Sequence, residues 1–219
     1  MTELAPPAAE VLFGAGLPRA IAYAELLAEH GVERGLIGPR EVDRLWERHL
    51  LNSVAVAEVL PQAARTIDLG SGAGLPGIPL AIARPDLGMT LLEPMARRVE
   101  WLEHVARTLD LAVTIVRGRA EEPDIKRRMS GADVVVARAV APLAKLSEWA
   151  LPLLRRGGSL VAMKGASAAE EVARDRQAIA RAGGSEPRIE SCGESVLTDP
   201  TTIVVVDRVS TADRQRKDR

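Results

Sequence analysis

Four glycines crowd residues 68–77, "DLGSGAGLPG", and Gly72-x-Gly74-x-x-Gly77 fits the dinucleotide-binding fingerprint letter for letter. Glycine lets a backbone approach a ligand closely and turn with positive φ. Glu93 follows 19 positions after Gly74, where a carboxylate can accept both hydroxyls of an adenosine ribose. That pairing suits NAD and S-adenosylmethionine equally. Asp68 separates them, because it lies two residues before the first glycine. An ionised carboxylate there would repel a pyrophosphate but attract the amino group and sulfonium of S-adenosylmethionine. The order acid-x-Gly-x-Gly-x-Gly at Asp68, Gly70, Gly72 and Gly74 is the arrangement of Rossmann-like methyltransferases.

Other residues that could do chemistry are sparse. Cys192 is the single cysteine and the three histidines, His30, His49 and His104, show no zinc spacing, so no metal is expected. Arg138 ends the apolar run "VVVA", where an unpaired charge would be costly. It either binds a ligand anion or sits in a structural ion pair. Trp46 and Trp101 read as core, and His49 as core or ligand.

The elements that must hold these residues follow from periodicity. Residues 1–62 read as a helical cap, with apolar faces over 17–31 and 39–60 separated by Gly35 and Gly38. From residue 63 to 209, "RTIDL", "MTLLE", "AVTIV", "ADVVVA", "GSLVAMK", "RIESCGE" and "TTIVVVDRV" read as seven strands, mostly without alternation, as in strands buried on both faces. Amphipathic helices fall between them, at 95–109 and 166–182 among others. This implies an α/β fold with a mostly parallel seven-stranded sheet, helices on both faces and an N-terminal helical extension. Residues 210–219 read as a polar tail.

The chain of 219 residues with 47% hydrophobic composition can bury one sizeable core, and its net charge of −1 gives no bulk attraction to nucleic acid. Its basic residues nevertheless cluster, at Arg97-Arg98, Lys126-Arg127-Arg128, Arg155-Arg156 and the tail. The first two follow the second and third strands and are expected to flank the ligand loop. We find no leader and no apolar run of the ~18 residues that cross a bilayer, so a cytoplasmic protein is expected.

With Gly77-Ile78-Pro79-Leu80 behind it, the loop resembles that of the RsmG family, also called the glucose-inhibited division protein B family. "WERHLLNS" is similar to the family's Trp-x-Arg-His-x-x-Asp-Ser element and "RRVEWL" to its Lys-Arg-x-x-Phe-Leu; "GRAEE", "ARAVAPL" and "MKG" fall at the expected later places. The resemblance runs from about residue 38 to 165. It departs at Asn52, where the family has Asp, at Glu93-Pro94 for Asp-Ser, and at "GLIGPRE" for an Asn-Leu-Thr approach.

The resemblance implies a Rossmann-like methyltransferase that carries a methyl group from S-adenosylmethionine to ring nitrogen 7 of a guanosine. It sets the substrate as 16S ribosomal RNA or the 30S subunit, near the decoding region, with no DNA or membrane partner and a monomer favoured. Loss of the protein would then alter streptomycin sensitivity. Cofactor contacts carry over to Gly70, Leu75, Ala120, Glu121 and Arg138, beside Asp68, Gly72, Gly74 and Glu93.

Ring nitrogen 7 already carries a lone pair and loses no proton on methylation, so alignment and charge placement matter more than a general base. The catalytic candidates are Arg119, Arg138 and Lys164, each at or just after a strand end, to grip phosphates and the guanine carbonyl oxygen. Two readings compete. An NAD-dependent oxidoreductase shares the glycines and Glu93 but not Asp68, and a noncatalytic RNA-binding module would keep only a vestigial loop.

Overall fold

The computed structural model describes residues 4–209; the polar tail expected over 210–219 lies outside them. Two helices open the chain, α1 (Pro7–Phe13) and α2 (Leu17–His30), the first with proline at its start, where a missing N–H costs nothing. The second helical region is not one regular helix. It runs as tight turns over Pro39–Arg44, a wide π turn over Leu45–Leu51, a short α3 (Asn52–Ala55) and tight turns again over Val56–Val59. The swelling has a cause: the guanidinium of Arg138 inserts there and takes the carbonyls of Arg48 and His49.

The seven expected strands form as β1 (Arg65–Leu69), β2 (Gly88–Glu93), β3 (Thr114–Arg117), β4 (Ala132–Arg138), β5 (Leu154–Met163), β6 (Arg188–Cys192) and β7 (Thr201–Asp207). Their order is β3-β2-β1-β4-β5-β7-β6, with β7 antiparallel to both neighbours and the other pairs parallel. Between them lie α4 (Gly77–Ala83), α5 (Ala96–Thr108), α6 (Pro123–Met129), α7 (Leu143–Ala150) and α8 (Ala168–Ala182). The chain winds outward from β1 through β2 to β3 and then crosses to β4 on the other side of β1, so the switch point, where ligands bind in such sheets, is at the carboxyl ends of β1 and β4.

The core divides at the sheet. On one side α1, α2, the wide turn, α4 and α5 pack on Leu91, Val134, Val136, Val161 and Met163. On the other, α6, α7 and α8 cover Ile67, Leu69, Leu92, Val135, Ala137 and Ala162. The helical cap thus shares one continuous core with the sheet.

Residues Pro7–His30 reach the length and mean apolarity of a bilayer span by composition alone, with the Gly14–Gly16 turn and charged residues such as Glu10 and Arg19 inside the segment. Their inward face is already used: Phe13, Ala20, Tyr23, Ala24 and Leu27 are buried against the domain.

Candidate cofactor and acceptor site

Strand alternation decides which side chains meet. In β1, Ile67 and Leu69 face α6–α8, so Asp68 faces the cap; the same parity puts Glu93, following Leu91, and Arg138, following Val136, on that side. All three stand at or near the carboxyl ends of adjacent strands, β2, β1 and β4. The sequence candidates Asp68, Glu93 and Arg138 are therefore brought to one edge and one face.

Asp68 is fully buried. Its Oδ2 accepts the N–H of Gly77 at 3.0 Å, while Oδ1 has no partner among the described residues. Burial pushes its carboxyl up to about 7; the neighbouring Ser71 hydroxyl and the Gly77 N–H oppose the rise, and Glu93 adds to it. A Cβ on Gly77 would stand 2.4 Å from Leu91 Cδ2 and 2.6 Å from Asp68 Oδ2, so glycine is required there by space. Gly70, Gly72 and Gly74 meet the other demand, with φ of +74°, +57° and +107°.

Glu93 braces the loop. Its Oε2 accepts the Gly72 N–H and its Oε1 the Met95 N–H, both at 2.9 Å, and Arg98 Nη1 lies 3.9 Å from Oε2. Each carboxylate oxygen retains a lone pair for a ribose hydroxyl. An orphaned buried oxygen on Asp68, a glycine cradle and a braced acidic strand end together fit an adenosine ligand that carries an amino acid, the chemistry of S-adenosylmethionine.

Two residues that sequence reasoning did not assign to the site hold the loop from either side. Tyr23 of α2 donates its hydroxyl to the Ala73 carbonyl at 2.9 Å, and Trp101 of α5 donates its indole N–H to the same oxygen at 2.8 Å. Tyr23 and Trp101 are fully buried, as is Trp46. Tyr23 is the single tyrosine, and an amphipathic ring placed on the apolar face of a helix is the signal that could have marked it.

Arg138 is neither unpaired nor in an ion pair. Its Nη1 donates to the His49 carbonyl and Ser53 Oγ, each at 3.3 Å, and its Nη2 to the Arg48 carbonyl at 3.2 Å and to His49 Nδ1. None of these acceptors carries negative charge, so the guanidinium still lacks a counter-ion among the described residues, and burial lowers its pKa. His49, left open between core and ligand, is buried between Arg138 and Glu41.

The remaining candidates divide. Leu75 and Gly70 lie in the loop; Arg119 and Glu121 follow β3, with Ala120 buried between them and Glu121 exposed. Lys164 is the exception to the common face. Arg138 pairs in register with Met163, so Lys164 has the opposite parity, and its ammonium is committed to Glu171 Oε2 at 2.8 Å and the Ala141 carbonyl at 3.1 Å. Two of its three N–H donors thereby tie the β4–α7 loop to α8.

The basic cluster 126–128 also needs correction as a flank of the site. Since α6 runs back across the sheet, Arg128 lines a 240 Å³ cleft with Arg65, Thr66 and Gly88, at the amino ends of the strands. Arg127 and Arg128 are paired with Asp124. Arg97 and Arg98, at the start of α5 just after β2, remain at the carboxyl edge.

Known proteins share this architecture. A putative S-adenosylmethionine-dependent methyltransferase from Methanococcus maripaludis has the same fold, with a TM-score of 0.59 and 18% identity over 86% of this chain and 93% of that one. Aeropyrum pernix fibrillarin, solved with natively bound S-adenosylmethionine, gives a TM-score of 0.53 and 17% identity over 73% and 75%. In sequence, the chain is 53% identical to the ribosomal RNA small subunit methyltransferase G of Corynebacterium jeikeium, covering 93% of this chain and 92% of that protein. It is 52% identical to the Mycobacterium marinum protein of the same name, over 99% and 95%. The family model described as "GidB: rRNA small subunit methyltransferase G" matches residues 17–199. The chain belongs to the rRNA small subunit methyltransferase G family.

Proposed function

We propose that this protein methylates ring nitrogen 7 of a guanosine of 16S ribosomal RNA near the decoding region, acting in the cytoplasm as a monomer on the RNA or the 30S subunit. The observation that carries the reading is the coincidence of the family match over residues 17–199 with Asp68, Glu93 and Arg138 gathered at one edge of the sheet. When bound, S-adenosylmethionine supplies an electrophilic methyl group on a sulfonium.

In this reading Asp68 holds the cofactor amino group through its open Oδ1, Glu93 the ribose hydroxyls and Arg138 the carboxylate. Gly70, Gly72, Gly74 and Leu75 form the cradle, and Ala120 and Glu121 frame the adenine. Arg119, beside them, takes an RNA phosphate or the guanine carbonyl oxygen. Lys164 orders the β4–α7 loop through Glu171. Methyl transfer to ring nitrogen 7, which carries a lone pair, would require no proton to be removed, in keeping with a site whose groups are placed for alignment. Burial holds the Cys192 thiol up at about 11, which suits it to the core and not to nucleophilic attack.

The deciding experiment combines a strain lacking the protein with mass-spectrometric mapping of its 16S RNA. One 7-methylguanosine near the decoding region should be missing, and purified protein with labelled cofactor should restore it on the RNA or the 30S subunit. The same strain is expected to change in streptomycin sensitivity. Unchanged 16S methylation, with no label transferred, refutes the proposal and favours a noncatalytic RNA-binding module.

A further inference from the structure

Arg138 is held by an arrangement that the cofactor reading does not use. Its guanidinium can only donate, so His49 Nδ1 must accept, and the imidazole proton therefore resides on Nε2. That Nε2–H faces Glu41 Oε2 at 2.7 Å. Glu41 is also approached by Arg48 Nε, at 3.4 Å. The wide π turn over Leu45–Leu51 completes the holder by aiming the carbonyls of Arg48 and His49 at the same two nitrogens. Wide turns of this kind recur at functional sites, since they free carbonyls from the helical ladder.

We propose that Glu41 and His49 are positioning residues, a carboxylate–imidazole relay in the helical cap that fixes Arg138 for the cofactor carboxylate. The inference rests on the reading of Arg138 as the carboxylate clamp. The relay is arranged for this task. Glu41 selects the tautomer, the neutral ring presents an acceptor to Arg138, and the negative charge stays one imidazole away. A carboxylate placed directly on Arg138 would neutralise it; this relay orients the guanidinium and leaves its charge for an incoming anion. Burial and the adjacent Arg138 charge both keep the ring unprotonated, lowering its pKa to about 4.

The test compares binding of S-adenosylmethionine with binding of its decarboxylated analogue, by calorimetry, to the full-length protein and to Arg138→Met, His49→Gln and His49→Asn. Glutamine reaches toward the Nε2 position and keeps the hydrogen bond to Glu41 but offers Arg138 no acceptor; asparagine keeps an acceptor near Nδ1. Arg138→Met and His49→Gln are each expected to weaken S-adenosylmethionine about tenfold, the effect typical of removing a hydrogen bond to a charged group, and to leave the analogue unchanged. His49→Asn, which keeps an acceptor for Arg138 but loses Glu41, is expected to recover only part of the affinity. Equal weakening of both ligands by His49→Gln, or no weakening of either, overturns the relay. If Arg138→Met itself fails to discriminate between the ligands, the clamp reading falls and the relay with it. If Arg138→Met discriminates and His49→Gln does not, the clamp stands and the relay alone is refuted.

Discussion

With Asp68 holding the cofactor amino group as proposed, cofactor binding is expected to depend on pH in a range where few other groups titrate. The carboxyl is fully buried and raised to about 7, and its unpartnered Oδ1 can pair with an ammonium only when ionised. With that value the ionised fraction is about one half at pH 7 and ~1% at pH 5. Affinity should therefore fall about 50-fold between these pH values, equivalent to ~2.3 kcal/mol. Calorimetric titration with S-adenosylhomocysteine, which retains the amino group but has no sulfonium, isolates the amine interaction. Repeating it in two buffers of different ionisation heat should show close to one proton released per ligand bound near pH 5.5. Asp68→Asn should bind weakly and show no such slope. An affinity constant within twofold from pH 5 to 7, or a slope that survives in Asp68→Asn, would refute the assignment of Asp68 to the amine.

The same group predicts an opposite trend for the free protein. Because its folded pKa lies above the unfolded value of 3.8, the folded chain keeps a proton that the unfolded chain releases, and stability should fall as pH rises from about 4 to 7. The full contribution is about 4 kcal/mol, read as the part of the urea-midpoint change that Asp68→Asn removes. Gly77→Ala places a methyl group 2.4 Å from Leu91 Cδ2 and should cost about 1–3 kcal/mol by overpacking, with cofactor binding abolished as Asp68 is displaced; thermal melting and calorimetry report the two effects. Tyr23→Phe removes one of the two donors on the Ala73 carbonyl and should cost about 1 kcal/mol in stability, with a several-fold weaker cofactor, because Trp101 still holds the oxygen. Neutralising Arg97 and Arg119 together should make RNA binding less salt-dependent, by about one unit of slope for each phosphate no longer gripped. Neutralising Arg127 and Arg128, at the far edge and paired with Asp124, should leave that slope unchanged in filter-binding assays.

The positions of the central strands β1, β2, β4 and β5 were legible because parallel strands buried on both faces read as runs of Val, Ile and Leu, and β1 lies over the expected residues 65–69. Asp68 and Glu93 could be paired because one local unit, strand, glycine turn and next strand, sets their distance from the loop. What escaped the sequence required interactions between distant segments. Tyr23 reaches a carbonyl 50 positions away, and Arg138 finds its acceptors in the cap at a separation of 85 to 90. The expectation of one regular helix over 39–60 failed for the same reason, since helical periodicity continues through Leu45, Trp46 and Leu50 while the turn widens to admit a side chain from β4. Likewise α6 carries its arginines to the far edge only because a helix following a parallel strand must run back, a consequence of topology that proximity in sequence conceals.

Lys164 lies within reach of the sequence, and its difference from Arg138 says how such sites should be read. Arg138 and Lys164 both end apolar runs, and a strand end alone makes them equivalent. Side-chain parity does not. Counting back along each strand, Arg138 continues the Val134–Val136 face beneath the cap, whereas Lys164 continues the Leu160–Ala162 face beneath α7 and α8. The two cations therefore leave the same edge of adjacent strands on opposite sides of the sheet, one toward neutral acceptors that leave its charge available, the other toward Glu171. Asp68, Glu93 and Arg138 share the parity that faces the cap, whereas Lys164 does not.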